Sequence, residues 1–521
     1  MSTTGAGAPR AWPDPGLLRL ADGVLQPGFE GLTAPDWIRR RLAGGLGSVL
    51  LFGRNFAPGP GGREQAAALV AQLRAEHPDV LVAVDEEGGD VTRLEWSAGS
   101  SYPGNLALGT VDDEDLTRAV ARSIGRELAA LGIDLDYAPD ADVNSDPRNP
   151  VIGVRSFGAD PALVARHTAA WVRGLQEGGT AACPKHFPGH GDTVVDSHLG
   201  LPTVSTDLAE LARVALPPFR AAAAAGARAV MTAHILLPAL DREHPATVSP
   251  RILTGLLRRR LGFDGLVVTD AVEMRAVADR YGQAGAAVRA LAAGADLVCV
   301  GDRGAEAGYE ALRSAVARAV VTGELPGERL AEAADRVAAF ARWARGLRAA
   351  AREAADGAGR PDGPAVGPAA ARRALVVTRP SGAGPQGRGA PYVAEFRTAA
   401  TIAVGTVTTW GLAGPLAALL PGTEAGQVGR EEAEADPAGT AARVCAAAQG
   451  RPLVLVVRDA HRHTWMDAAV TALVARRPDA VVVELGLPGS APRGGLYVTT
   501  HGAARVCAEA AAEAVAAHLN H

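Results

Sequence analysis

The sequence predicts an α/β protein: a (β/α)8 TIM-like barrel over residues 1–350, a linker over 351–370 and a smaller α/β sandwich over 371–521. Three observations carry this. Short apolar, β-branched runs alternate with Ala-, Leu- and Arg-rich helical stretches, as buried parallel strands with crossover helices do. Ionisable residues close many of those runs: Asp85, Asp142, the pair Lys185-His186, His234 and Asp270. In a barrel of this kind, chemistry gathers at the C-terminal strand ends. A Gly/Pro-rich segment then separates a second, shorter series of strands. A doubly wound open sheet is the competing architecture. Carboxylates capping the following helices would explain one or two of the polar ends, but not a Lys-His pair.

The barrel strands fall at 23–29, 48–52, 80–85, 134–143, 180–185, 227–234, 265–270 and 296–301. A long helix rich in Ala, Arg and Glu follows over about 330–352. Residues 356–368 contain Gly-Arg-Pro-Asp-Gly-Pro and read as linker. Five further strands are expected at 374–378, 401–406, 453–458, 480–485 and 495–499, with helices between them, which suits a small sandwich. Arg379 to Gly384 is Gly-rich but lacks the G-x-G-x-x-G spacing, so nucleotide binding is not indicated.

With 521 residues the chain has room for two sizeable cores. Aromatic content of only 4% against 48% hydrophobic residues means cores built from Ala, Val and Leu. A net charge of −5, with no basic stripe, argues against a nucleic-acid partner. The cysteines, Cys183, Cys299, Cys445 and Cys507, are scattered and form no C-x-x-C pair, so neither a disulfide framework nor a zinc ribbon is expected. Residues 1–15 show no cationic segment leading into an apolar one, and no apolar run is long enough for a span. No secretory signal and no membrane partner are therefore expected, and the expected location is cytoplasmic. Composition leaves the oligomeric state open.

One position stands apart. Lys185 is the only lysine among 52 basic residues. Arg serves for surface charge and ion pairs, but it does not replace a compact ammonium in a tight polar pocket. Lys185 therefore marks such a pocket. It opens the segment Lys185-His186-Phe187-Pro188-Gly189-His190-Gly191-Asp192-Thr193, followed by Asp196-Ser197-His198. Pro188 and the glycines interrupt any helix, so this is a long loop leaving a strand.

Two chemical readings of the loop compete, with a plain surface loop as the third. His186, His190 and His198 with Asp196 offer metal-ligand chemistry, but Pro and Gly break the helical spacing that such sites favour. The alternative is acid/base chemistry. Asp196, two residues before His198, is placed to accept one ring N–H and fix the tautomer, leaving the other nitrogen to pass protons. Asp270 closes an apolar strand, where a carboxylate can attack an electrophilic carbon; a helix cap is the bland reading. Asp85 suits two adjacent sugar hydroxyls, with Lys185, Arg93 and Arg155 donating to the remaining oxygens.

These segments resemble glycoside hydrolase family 3, in its bacterial β-N-acetylglucosaminidase branch. The residues that carry the resemblance are Asp85-x-Glu87-Gly88-Gly89, Gly153-x-Arg155-Ser156-Phe157, Lys185 to Thr193 with Asp196-Ser197-His198, and Thr269-Asp270-x-x-x-Met274. They run in the family's order over about residues 18–345; the second domain resembles the family's C-terminal sandwich only loosely. The resemblance implies a retaining, exo-acting enzyme with no cofactor or metal that removes terminal β-linked N-acetylglucosamine from small glycosides or cell-wall fragments. It implies Asp270 as nucleophile, His198 oriented by Asp196 as acid/base, and Asp85, Arg93, Arg155, Lys185 and His186 as the sugar-holding set. Most glycosidases use two carboxylates, so the His-Asp dyad is a departure. Many relatives carry Arg after Glu-Gly-Gly where this chain has Asp90, a reversed charge expected near the pocket and bearing on leaving-group preference.

Phosphorolysis is the runner-up, since a neutral imidazole repels phosphate less than a carboxylate does. A β-glucosidase and a non-catalytic sugar-binding protein are the further alternatives. The loop at 459–463, with His461 and His463, is where the second domain would reach the cleft if it does so; a solvated loop is the other reading.

Overall fold

The structure, a computed structural model, describes residues 14–301, 306–357, 365–380, 384, 387, 389–398 and 411–520. Eight short parallel strands run in chain order: β1 (Leu25–Pro27), β2 (Ser48–Leu51), β3 (Leu81–Val84), β4 (Leu135–Asp136), β5 (Ala181–Ala182), β6 (Ala229–Met231), β7 (Leu266–Val268) and β8 (Val298–Val300). β2 to β5 form one ladder, β6 pairs with β7, and β8 pairs with β1. Single bridges join the rest: Phe187 to Thr232 between the β5 and β6 segments, and Val268 to Leu297 between β7 and β8. Gly47 N donates to Asp22 O at 3.2 Å where the β1 and β2 segments meet. The ring is thus closed in strand order, as a (β/α)8 barrel is and a doubly wound open sheet is not.

The strands are almost wholly buried because both faces are covered, the inner by side chains of other strands and the outer by helices. The fourth strand is shorter than the expected 134–143. Pro139 has no N–H for the ladder, and past Asp136 the pairing is reduced to separate contacts, among them Cys183 N to Ala138 O at 2.9 Å and the Asp140–Lys185 bridge. This early release frees Asp140 and Asp142 to turn inward.

The N-terminal end of the barrel is sealed by the helix Gly327–Gly357, whose Val337, Phe340, Ala341 and Ala344 share a core with Leu50, Leu81, Leu135 and Leu266. Two buried carboxylates clasp it. Asp134 accepts from Arg74 at 2.7 Å and from Arg348 of the helix, and Asp296 accepts from Arg258 and Arg329 at 2.5 Å. This face carries stability; the opposite face carries the polar groups.

The helix continues past the expected boundary at 350, and another helix, Val366–Ala374, begins within the expected linker. Ala-Arg-Glu-Ala-Ala at 351–355 favours helix strongly enough to extend it. The second domain is a six-stranded sheet in the order β11-β10-β12-β13-β14-β9, all parallel except β9. Its strands are β9 (Val376–Thr378), β10 (Tyr392–Phe396), β11 (Glu424–Val428), β12 (Leu453–Val457), β13 (Val481–Glu484) and β14 (Leu496–Thr499). β10 and β11 were not among the expected strands, whereas the strand expected at 401–406 lies outside the described residues. β11 is a polar edge strand, Glu-Ala-Gly-Gln-Val, exposed along most of its length, so no apolar run announces it.

Candidate active site

The strand ends converge on a cavity of about 790 Å³. Asp85, Arg93, Arg155, Lys185, His186, His198 and Asp270 all line it, and Asp196 stands behind His198. The lining residues found among those described run from Glu30 to Gly301, so they all come from the barrel chain. No residue of 459–463 is among them; the side chain of His461 packs instead against Gly489.

Lys185 occupies the pocket that its uniqueness pointed to. Its Nζ lies 2.6 Å from Asp85 Oδ1 and 2.7 Å from Glu87 Oε1, and its side chain is 3% exposed. Burial opposes its charge, but the two carboxylates outweigh that and hold its pKa above the ordinary lysine value. Glu87 also receives Arg155 Nε at 2.9 Å and Nη2 at 2.7 Å, a bidentate pair. Burial would raise this carboxyl; Arg155 and Lys185 instead hold it well below the usual range. The result is a buried array of alternating charges with fixed geometry.

A second array lies beside it. His186 Nδ1 donates to Asp142 Oδ2 at 2.8 Å, while His190 N donates to Asp142 Oδ1 at 2.6 Å. Burial, then the charge of Arg155, pushes His186 down to about 4, and burial pushes His190 down to about 4, so both rings are neutral near neutral pH. His190 Nε2 is a buried nitrogen with no protein partner on the wall of the cavity. The loop passes so close to the β4 segment that a Cβ on Gly191 would lie 1.7 Å from Val143 O; only glycine fits there. Asp140, Asp142 and His186 bring ligand-type atoms within 4.8 Å of one another. Asp142 is already engaged by both histidines, however, and the Arg155 guanidinium stands 3.6 Å from Asp140 Oδ2. That cation supplies the positive charge a metal would bring.

His198 Nδ1 lies 2.7 Å from Asp196 Oδ1, which also accepts His198 N at 2.9 Å. A carboxylate only accepts, so Nδ1 carries the proton there and Nε2 is the exchangeable nitrogen. Burial would raise Asp196, but its hydrogen bonds with His198 lower it overall. Ala276 N donates to Ser197 O at 3.4 Å, tying the dyad segment to the helix that follows Asp270. Asp270 accepts Ala271 N at 2.8 Å. Burial would raise Asp270, yet His234, His186 and His198 bring it below the usual value, so it is an anion. His234 is oriented by Thr247 Oγ1 at 2.8 Å and Ala271 O at 2.9 Å.

Sequence reading gives Glu87 and Asp142 no role of their own and His190 only the metal-ligand one. Their signal was present, since Glu87 lies in the Asp85-x-Glu87 motif and Asp142 ends an apolar run, but their partners are distant in the chain. Asp90 does not line the cavity. Its side chain is 1% exposed and pairs with Arg458 of the second domain at 2.6 Å, so its reversed charge serves the junction between domains rather than the leaving group.

A (β/α)8 barrel whose strand ends hold an ionised aspartate, a carboxylate-oriented imidazole and a buried Lys-Arg-carboxylate array has the parts for nucleophilic and acid/base chemistry on a hydroxyl-rich substrate. The sequence model of the glycosyl hydrolase family 3 N-terminal domain matches residues 34–340, and the chain belongs to that family. A beta-hexosaminidase from Chromobacterium violaceum is 38% identical over 333 residues, 62% of this chain and 89% of that protein. A beta-hexosaminidase A from Pseudoalteromonas piscicida is 37% identical over 287 residues, 51% of this chain; the match spans 48% of that relative's length. The solved structure of a family 3 beta-N-acetylglucosaminidase from Paenibacillus sp. str. FPU-7 superposes with a TM-score of 0.81 at 32% identity, covering 96% of this chain and 97% of that one. The second domain therefore shares in the likeness. No helix among the described residues is long and apolar enough to cross a membrane.

Proposed function

We propose that the protein removes terminal β-linked N-acetylglucosamine from small glycosides by a retaining mechanism. The observation that carries this reading is the sharing of one cavity by Asp270, His198 and the Lys185 array. Asp85, Arg93, Lys185 and Arg155 hold the hydroxyls of the non-reducing sugar, with His186 and His190 as neutral partners. Asp270 attacks the anomeric carbon while His198 Nε2 gives its proton to the departing oxygen. The products of this step are a free aglycone and a glycosyl ester on Asp270. His198 Nε2, now deprotonated, takes a proton from water as that water attacks the same carbon and Asp270 leaves. Asp196 stabilises the imidazolium before the first step and after the second.

The names of the relatives favour water over phosphate as acceptor, and N-acetylglucosamine over glucose as the sugar. The proposal includes a cytoplasmic location and a role on recycled cell-wall fragments. The test compares aryl β-N-acetylglucosaminide with aryl β-glucoside, each with and without phosphate. Turnover of the first without phosphate supports the reading. Phosphate-dependent release of a sugar 1-phosphate, or preference for the glucoside, overturns it.

A further inference from the structure

The segment after β3 has two working faces. One carries Asp85, Glu87 and Arg93 on the cavity. The other is bonded to the second domain. Asp90 accepts Arg458 Nη2 at 2.6 Å and Ala503 N at 2.7 Å, spanning 368 and 413 residues of chain. Nearby, Arg505 Nε donates to Gly99 O at 3.3 Å and its guanidinium pairs with Glu95 at 3.4 Å. Between the faces runs a tight turn. Glu87 N donates to Val91 O at 3.1 Å, Val91 N to Gly88 O at 3.2 Å, and Gly89 N to Tyr102 O at 2.9 Å. Gly89 has φ +61°, and a Cβ there would lie 2.4 Å from Gly104 Cα, so only glycine lets the turn pack this closely.

We propose that Asp90 is a positioning residue through which the second domain sets the sugar-binding array: the Arg458–Asp90–Ala503 contact fixes the turn that aims Glu87 at Lys185 and Arg155. Asp90 stands three residues from Glu87 across a rigid turn, and its carboxylate is buried and satisfied by groups of the other domain alone. A second domain that lines none of the described cavity thereby acts on binding. This inference rests on the reading of Lys185, Arg155 and Glu87 as the sugar-holding set.

The test uses the full chain with Asp90→Asn, which keeps the shape and an acceptor for Ala503 N, and Arg458→Gln, which removes the partner from the far side. In both, KM for an aryl β-N-acetylglucosaminide rises about 10-fold with kcat changed less than about 3-fold, as a small misplacement of binding groups produces. The double variant is no worse than either single one, because both break one link. Amide exchange over 85–94 quickens in each variant while the helix Arg275–Ala293 keeps its rate. Unchanged KM in either variant, a loss of active fraction at constant KM, or unchanged exchange over 85–94 overturns the proposal. If the unmodified protein fails to turn over the substrate, the functional reading falls, and the exchange measurement alone still decides the link.

Discussion

Two loops border the same cavity and are held in different ways. The loop after β3 is clamped between the barrel and the second domain: Asp90 and Glu87 are buried and paired on its two sides. The loop after β5 is buried and hydrogen-bonded from Lys185 to His190, then emerges. Val194, Val195 and Leu199, which flank the Asp196–His198 dyad, are 57%, 42% and 62% exposed. The groups proposed to hold the sugar thus sit on a framework ordered during folding, where no ordering cost remains at binding. The groups proposed to move protons sit on a segment flanked by exposed apolar side chains, the kind that opens locally at low free energy. The contrast separates binding from proton transfer within one site.

Asp270 lies on neither loop and sets the scale. Asp270→Ala lowers kcat by about 10^4-fold or more on every substrate, since no other group forms the ester. Next in size is His198→Ala. It slows glycosides with poor leaving groups by about 10^2- to 10^4-fold and activated aryl glycosides far less, because only the former need the proton. Equal losses on both classes, measured side by side, would remove the dyad loop from proton transfer. Lys185→Arg, which tests the clamped side, raises KM by about 10-fold or more at conserved charge, because the planar fork does not fit between Asp85 and Glu87.

Acidity distinguishes the loops with opposite signs. Burial raises Glu86, beside Glu87, to about 7. The folded state therefore binds a proton that the unfolded chain has released, and this contribution to stability is lost as pH rises from about 4.5 to about 7. His190, on the other loop, is lowered to about 4, so its contribution is lost as pH falls from about 6.5 toward 4. Glu86→Gln removes the fall in melting temperature that Glu86 contributes between pH about 4.5 and about 7; an unchanged slope over that window would contradict the assignment. The smallest effect belongs to Leu199→Ser, which shifts stability by less than about 0.5 kcal/mol because the side chain is already in water. A larger loss in chemical denaturation would show that the dyad loop is packed after all.

Much of the barrel was readable because most strands lie in short apolar runs, several of them closed by a polar residue, a purely local signal. Lys185, His198 with Asp196, and Asp270 were readable for the same reason. What escaped depends on partners far away in the chain. Glu87 gains its meaning from Arg155 and Lys185, and Asp90 from Arg458. Nothing beside Asp90 in sequence distinguishes a junction carboxylate from a pocket one. β10 and β11 escaped because a short strand with Glu395 inside it and a polar edge strand carry no apolar periodicity.

The solitary ammonium has a practical consequence. Every other basic side chain in the polymer is a guanidinium or an imidazole, so an amine-acylating reagent finds one side-chain address besides the α-amino terminus, and that address is shielded between two carboxylates at the bottom of the cleft. Held as an ammonium between those carboxylates, the side chain resists acylation in the folded protein, so intact mass would register its labelling only as the barrel opens.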